Sequence, residues 1–163
     1  MLNNSTLHSF ENIVGDANVL ADPYDLDRYS ADALTPFRAF GVEDALQRLA
    51  DLVVRPETTE QVAKIVALAG EKRIPLIPYG GGTGVMGGTL PVQGGIIIDL
   101  QRLNRILEVN PQDQTVSVEA GTVLQDLEDA LDEHGLMAGH DPYSVAIATV
   151  GGAIGNNSCG AHS

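Results

Sequence analysis

The sequence predicts a mixed fold of helices and strands. Three observations predict it: short apolar runs bounded by Pro or Gly, a capped amphipathic stretch between two of those runs, and two windows crowded with glycine. The 163 residues are enough to bury a core without disulfide or metal staples. Aromatic residues make up only 4% and Trp is absent, so that core has to be aliphatic.

Residues 1–19 are mixed and polar and read as a helix or lead-in segment. Residues 22–52 hold Tyr24, Tyr29 and a polar patch over 28–32. Within them, 43–52 reads as a helix with Ala45, Leu46, Leu49 and Ala50 on one face. Residues 52–55 form a short strand stopped by Pro56. Thr58-x-x-Gln61 is a capping box, and Val62, Ile65, Val66 and Ala69 then share a helical face. Pro75 closes that region and 76–78 is a second strand, so 52–78 is the strand–helix–strand step of a parallel sheet.

Residues 96–100 read as a buried strand. Residues 105–110 and 115–120 are two more, joined by a turn over 110–114. In the second, Val116, Val118 and Ala120 alternate with polar neighbours, which buries one face. Thr122-x-x-Gln125 caps a further helix. Val123, Leu124, Leu127, Ala130 and Leu131 face inward, Gly135 ends it, and the acidic run 126–133 faces water.

A net charge of −13 argues against nucleic acid, whose phosphates need a basic face, and against docking on an anionic membrane. No apolar run approaches the ~20 residues of a membrane span, and the first residues lack the basic and apolar regions of a secretory signal. A cytoplasmic setting is the expectation. The single Cys159 excludes an internal disulfide and a cysteine-bound metal cluster. Cys159-x-x-His162 has too few ligands for a metal site, so a buried or cofactor-adjacent thiol is expected. His140-Asp141 is read as structure rather than as a base and its orienter, and Glu119 as structural.

Eight of the 18 glycines fall within 80–95 and six within 135–160. Glycine weakens regular structure, so such crowding marks backbone that bends sharply or is closely approached. The first window carries no charged residue from Pro78 to Gly95. A phosphate held there has to rest on backbone N–H groups arranged as a nest, helped by the Thr83 hydroxyl. A plain surface loop is the bland alternative. Gly82-x-Gly84-x-x-Gly87 matches the dinucleotide fingerprint of the Rossmann fold, but no helical face follows it. A P-loop lacks its Gly-Lys-Ser/Thr. The second window offers Ser144, Thr149, Asn156, Asn157 and Ser158 to a polar, uncharged ligand edge. Its alternative is the close packing of a helix start on a sheet. Together the two windows suggest two walls of one cofactor cleft.

The motifs occur in a definite order: Arg-Pro-x-Thr-Thr-x-Gln-Val at 55–62, Pro-Tyr-Gly-Gly-Gly-Thr-Gly at 78–84, a strand ending Asp-Leu at 99–100, Val-Glu-Ala-Gly at 118–121, Asp-Pro at 141–142 and Thr-Val-Gly-Gly-Ala-Ile-Gly-Asn-Asn at 149–157. This order resembles the PCMH-type FAD-binding domain, the vanillyl-alcohol-oxidase-like fold, in the branch of D-lactate, D-2-hydroxyglutarate and glycolate dehydrogenases. The resemblance implies an α+β fold of two subdomains with FAD between them. The first, containing the βαβ step, is complete here and the second only begun. Residues 1–21 would be a lead-in and 22–163 a FAD-binding domain truncated on its C-terminal side.

The resemblance implies that Pro78, Gly80, Gly81, Gly82, Thr83, Gly84 and Gly87 hold the diphosphate. It implies that Pro142, Ser144, Thr149, Gly151, Gly152, Asn157 and Gly160 line the rest of the cofactor. The first loop has no histidine, so FAD is expected to be non-covalent. Cys159 stands where relatives have glycine. Residues 156–163 are similar to a subgroup fused to an iron–sulfur oxidoreductase module. The implied reaction of the parent protein is hydride transfer from a 2-hydroxy acid to flavin, then onward to an electron acceptor, with the catalytic groups in sequence beyond Ser163. A peptidoglycan-precursor reductase on the same domain, and a catalytically inactive nucleotide-binding fragment, are the alternatives.

Overall fold

A computed structural model describes residues 2–34 and 48–161. In chain order the elements are α1 (Asn4–Val14), β1 (Val19–Leu20), α2 (Pro23–Tyr29), β2 (Leu52–Val54), α3 (Thr59–Lys72), β3 (Leu76–Tyr79), β4 (Ile96–Asp99), β5 (Ile106–Asn110), β6 (Thr115–Val118), α4 (Leu124–Asp132) and α5 (Val150–Gly155). The helix expected over 43–52 falls largely outside the described residues. Residues 48–51 are not helical and lead into β2.

The main sheet has the order β1–β2–β4–β3. β2 and β3 both run parallel to β4, and β1 closes the edge antiparallel to β2. The parallel step over 52–79 therefore forms as expected, but its two strands are not neighbours, because β4 lies between them. That central position explains why all four residues of β4 are buried.

Strand alternation sorts the apolar residues onto two faces. Leu52, Val54, Ile96 and Ile98 pack with Phe10 and Val14 of α1 and with Ile65 and Ala69 of α3. Val53 and Ile97 point the other way and pack with Tyr29 and Ala50. Each fully buried aliphatic side chain here contributes about 1.5–3 kcal/mol. The lead-in segment is thus part of the core: Phe10 is completely buried. Asn3 starts α1 by accepting the Thr6 N–H at 2.8 Å.

The Thr58 hydroxyl accepts the Gln61 N–H as the capping box requires, while the Gln61 side chain reaches one residue further back, to the Glu57 N–H. Of the expected inward face of α3, Ile65 and Ala69 are buried and Val62 is half-buried. Val66 is 52% exposed, and Leu68 packs on the core in its place.

β5 and β6 form a separate antiparallel hairpin. Val116 and Val118 alternate with exposed neighbours but are only half-buried, and Ala120 is exposed. α4 begins at Leu124 without a side-chain cap. Thr122 turns instead toward the Arg105 carbonyl, 3.5 Å away. Leu124, Leu127 and Leu131 are its buried face. At its end the Leu136 N–H bonds to Leu131 and the Gly135 N–H to Asp132, with Gly135 at φ +68°. These are the paired bonds of a Schellman termination.

Candidate cofactor site

The carboxyl ends of β3 and β4, at Tyr79 and Asp99, lie side by side on one edge of the sheet. Ligands of parallel sheets sit beyond that edge. The chain leaves β3 straight into Gly80, and residues 80–89 form no helix, so the Gly82-x-Gly84-x-x-Gly87 spacing does not belong to a Rossmann turn. None of the amide N–H groups from Gly80 to Thr89 donates to an acceptor among the described residues. Backbone donors are rarely left unused. A run of them in a loop without charge is suited to an anion.

The two glycine windows touch. A Cβ on Gly80 would fall 2.3 Å from the Thr149 Oγ1, and one on Gly81 would fall 2.2 Å from the Ile147 carbonyl oxygen. Both distances are far inside van der Waals contact, so glycine is required at both positions by the neighbouring backbone and cap. Further along, Gly88 lies against Asn156.

The first turn of α5, in the second window, spends its donors within the protein. The Val150 N–H bonds to the Thr122 carbonyl at 2.9 Å and the Gly151 N–H to the Ala120 carbonyl at 2.8 Å. The Thr149 hydroxyl caps α5 by accepting the Gly152 N–H at 3.3 Å. Thr149, Gly151 and Gly152 thus fit a helix start packed closely on the 120–122 turn, and their surface forms a wall beside the free amides. Pro142 is buried. The Ser144 carbonyl accepts the Ile147 and Ala148 N–H groups. Asn157 takes the left-handed conformation at φ +47°. Gly160 packs on the Asp141–Pro142 peptide, where a Cβ would lie 2.6 Å from the Asp141 carbonyl carbon.

In the first window, Pro78 is the third residue of β3, paired with Ile98. Thr83 is half-buried. Gly82 and Gly87 have φ of +65° and +76°. The Gly84 carbonyl accepts the Ala33 N–H at 2.8 Å. Cys159 is exposed, which corrects the buried half of the expectation of a buried or cofactor-adjacent thiol. Its sequence partner His162 lies outside the described residues, among which no group of side chains could hold a metal ion. An open groove of about 580 Å³, lined by Thr115, Val116, Leu131, Gly135, Leu136 and Met137, lies at the start of the second window and away from the first.

Beneath the loop is a buried polar cluster that sequence reasoning left without a role. The Tyr29 hydroxyl donates to Asp99 Oδ2 at 2.7 Å, and Asp99 Oδ1 accepts the Gln101 N–H. The Tyr29 and Tyr79 rings meet edge-on, 5.0 Å between centroids, and the Arg28 guanidinium lies over the Tyr29 ring. The Tyr79 hydroxyl sits where a Gly82 side chain would go. Burial, then the hydrogen bond to Asp99, pushes the Tyr29 hydroxyl well above its ordinary pKa. Burial and the nearby Asp99 charge push Tyr79 up as well. The only sequence signals were the polar patch at 28–32 and the Asp-Leu strand end at 99–100.

The donor set fits a dinucleotide diphosphate: free amides, a hydroxyl and no opposing charge within the loop. Fold and site together define a flavin-dinucleotide-binding domain of the PCMH type. Residues 50–163 match the model of the FAD binding domain family, and the chain belongs to that family, whose cofactor is FAD. It is 36% identical over 114 residues to the glycolate oxidase subunit GlcD of Bacillus subtilis, covering 70% of this chain and 24% of that protein. It is also 36% identical over 110 residues to the D-lactate dehydrogenase of Anaerostipes hadrus, covering 68% and 23%. A solved alkyldihydroxyacetonephosphate synthase superposes with a TM-score of 0.86 at 25% identity, over 98% of this chain and 33% of that one. The chain therefore spans roughly a quarter of the curated relatives and a third of the structural one. No helix among the described residues is long and apolar enough to cross a membrane.

Proposed function

We propose that this chain is the FAD-holding part of a flavin-dependent oxidoreductase that oxidises a 2-hydroxy acid such as D-lactate, D-2-hydroxyglutarate or glycolate. The observation that carries the cofactor half of the reading is the unbroken run of free amide donors from Gly80 to Thr89, braced by Thr149 and Ile147. The similarity to a glycolate oxidase subunit and a D-lactate dehydrogenase supports the substrate class.

In this reading residues 22–163 are the FAD-binding domain and 1–21 lead into it. The amides of Gly80, Gly81, Gly82, Thr83, Gly84 and Gly87, together with the Thr83 hydroxyl, bind the diphosphate. Pro78 sets the strand exit. Pro142, Ser144, Thr149, Gly151, Gly152, Asn157 and Gly160 shape the opposite wall. Bound flavin supplies the two-electron acceptor for substrate oxidation, and the protein's part is binding, orientation and electrostatics. Binding is non-covalent, since residues 78–95 contain no histidine to attach it. A cytoplasmic parent protein that passes electrons to an iron–sulfur module or another acceptor completes the proposal.

FAD titration of the chain, followed by flavin absorbance and fluorescence, tests the cofactor half, and saturable one-to-one binding is expected. The substrate half is tested in the full-length protein by bleaching of the flavin band under anaerobic D-lactate, D-2-hydroxyglutarate or glycolate. No bleaching by any of the three would sink it. The likeness to alkyldihydroxyacetonephosphate synthase supports a second reading, a synthase of that kind. That reading predicts no bleaching by hydroxy acids but formation of an alkyldihydroxyacetone phosphate.

A further inference from the structure

The segment from Tyr29 to Leu34 lies outside the stretch that matches the family model, yet it touches the cofactor loop at several points. Tyr29 supports Tyr79 from below. The Ala33 N–H bonds to the Gly84 carbonyl at 2.8 Å. The Leu34 side chain lies against Gly87, and Asp32 Oδ2 lies 3.5 Å from where a Gly84 Cβ would stand. The segment is a third wall of the site.

One atom in that wall is unexplained. Asp32 Oδ1 accepts the Leu34 N–H at 2.8 Å and so forms the local turn. Asp32 Oδ2 is buried and has no hydrogen-bond partner among the described residues. A buried carboxylate oxygen left unpaired is costly, and such atoms call for a function. Ionised carboxylate only accepts, so phosphate oxygens are the wrong partner for it, and an O–H or N–H donor is the right one. Sugar hydroxyls flank a dinucleotide diphosphate on both sides: ribityl on the flavin side, ribose on the adenine side.

Resting on the FAD reading above, we propose that Asp32 is a cofactor-binding residue. Its Oδ2 accepts a hydrogen bond from a sugar hydroxyl of the bound dinucleotide, next to the diphosphate held by the loop. The carboxylate then gives the site a discriminating contact for the sugar that the uncharged loop cannot provide.

The test compares the unaltered chain with Asp32→Asn and Asp32→Ser. Both variants keep an oxygen for the Leu34 N–H, and both remove the carboxylate oxygen beside Gly84. The expected result is weaker FAD binding by about 10- to 100-fold, as for loss of a hydrogen bond to a charged group. The cofactor-free melting temperature should stay level or rise, because an unpaired acid has gone. A merely structural Asp32 would lower it instead. ADP and FMN titrations locate the hydroxyl: a loss with ADP assigns ribose, a loss with FMN assigns ribityl.

Affinity within twofold of the unaltered chain in both variants would overturn the proposal. So would failure of both to fold, or a loss seen with FAD but with neither half. Failure of the full-length protein to take up FAD would overturn the cofactor reading as well, whereas a loss confined to the Asp32 variants bears on this proposal alone.

Discussion

Replacing Gly81 by Ala tests whether the two glycine windows work as one site. The new Cβ would stand 2.2 Å from the Ile147 carbonyl oxygen and 2.9 Å from its carbon. Both are backbone atoms, so no side chain can swing aside, and the loop and the 147–149 segment must part by roughly 1 Å. Overpacking of this kind costs about 1–3 kcal/mol. At about 2–4 °C per kcal/mol for a chain of this size, the melting temperature should fall by roughly 2–12 °C. In the proposed site the same displacement would move the amides of residues 80–84 off the diphosphate. FAD affinity should therefore drop about tenfold or more, the loss of at least one charge-assisted hydrogen bond.

Gly70→Ala is the control. It lies inside α3 with nothing within 4 Å of its Cβ position, and should stabilise by up to about 1 kcal/mol without touching FAD. Differential scanning fluorimetry and flavin fluorescence titration read both variants. If Gly81→Ala melts and binds like the unaltered chain, the windows do not brace one another and the two-wall site is wrong.

Two further predictions concern the polar clasps. Hydrogen bonds from the Arg105 side chain, then from its backbone N–H, hold the Glu119 carboxyl below the usual carboxylate range. A depressed folded value means that this clasp stabilises fully above the ordinary value of about 4.3 and is lost as pH falls through the lowered one. Glu119→Gln should flatten the fall in melting temperature between about pH 5 and 3, and superimposable pH profiles would contradict the assignment. Tyr29→Phe leaves Asp99 Oδ2, in a side chain only 3% exposed, without its donor, and should cost about 1–3 kcal/mol by denaturant melts. In the unaltered chain the raised Tyr29 hydroxyl stabilises fully below about pH 10 and loses that contribution as pH climbs through its folded value. Tyrosinate absorbance should thus lag in the folded chain and appear together with alkaline unfolding.

Much of the fold was legible because its signals are local. The runs at 52–54 and 96–98, the Thr58 cap and the Leu124–Leu131 face depend on neighbours a few residues away, and all appear in the structure. Val66 was misplaced because a helical stripe read from periodicity alone does not say which side meets the sheet. In α3, residues 62, 65, 68 and 69 face the core shared with α1 and the sheet, and Val66 is left in water. Thr122 looked like a cap from its spacing, but the Arg105 carbonyl offered its hydroxyl another acceptor. Phe10 in the core was invisible to pattern, and the polar patch at 28–32 did not say what Tyr29 and Asp32 touch, because each acts on residues far away in sequence.

By itself the sequence determined that an uncharged, glycine-rich loop follows a strand and that any anion it holds must rest on backbone amides. That conclusion depends only on which side chains are absent from residues 78–95. Only the tertiary structure decided which amides are available. Pairing is settled by non-local geometry: β4 inserts between β2 and β3, the 147–149 segment comes to rest on Gly80 and Gly81, and the first turn of α5 gives its N–H groups to residues 120, 122 and 149. Among the described residues, the amides of 80–89 are left without an acceptor.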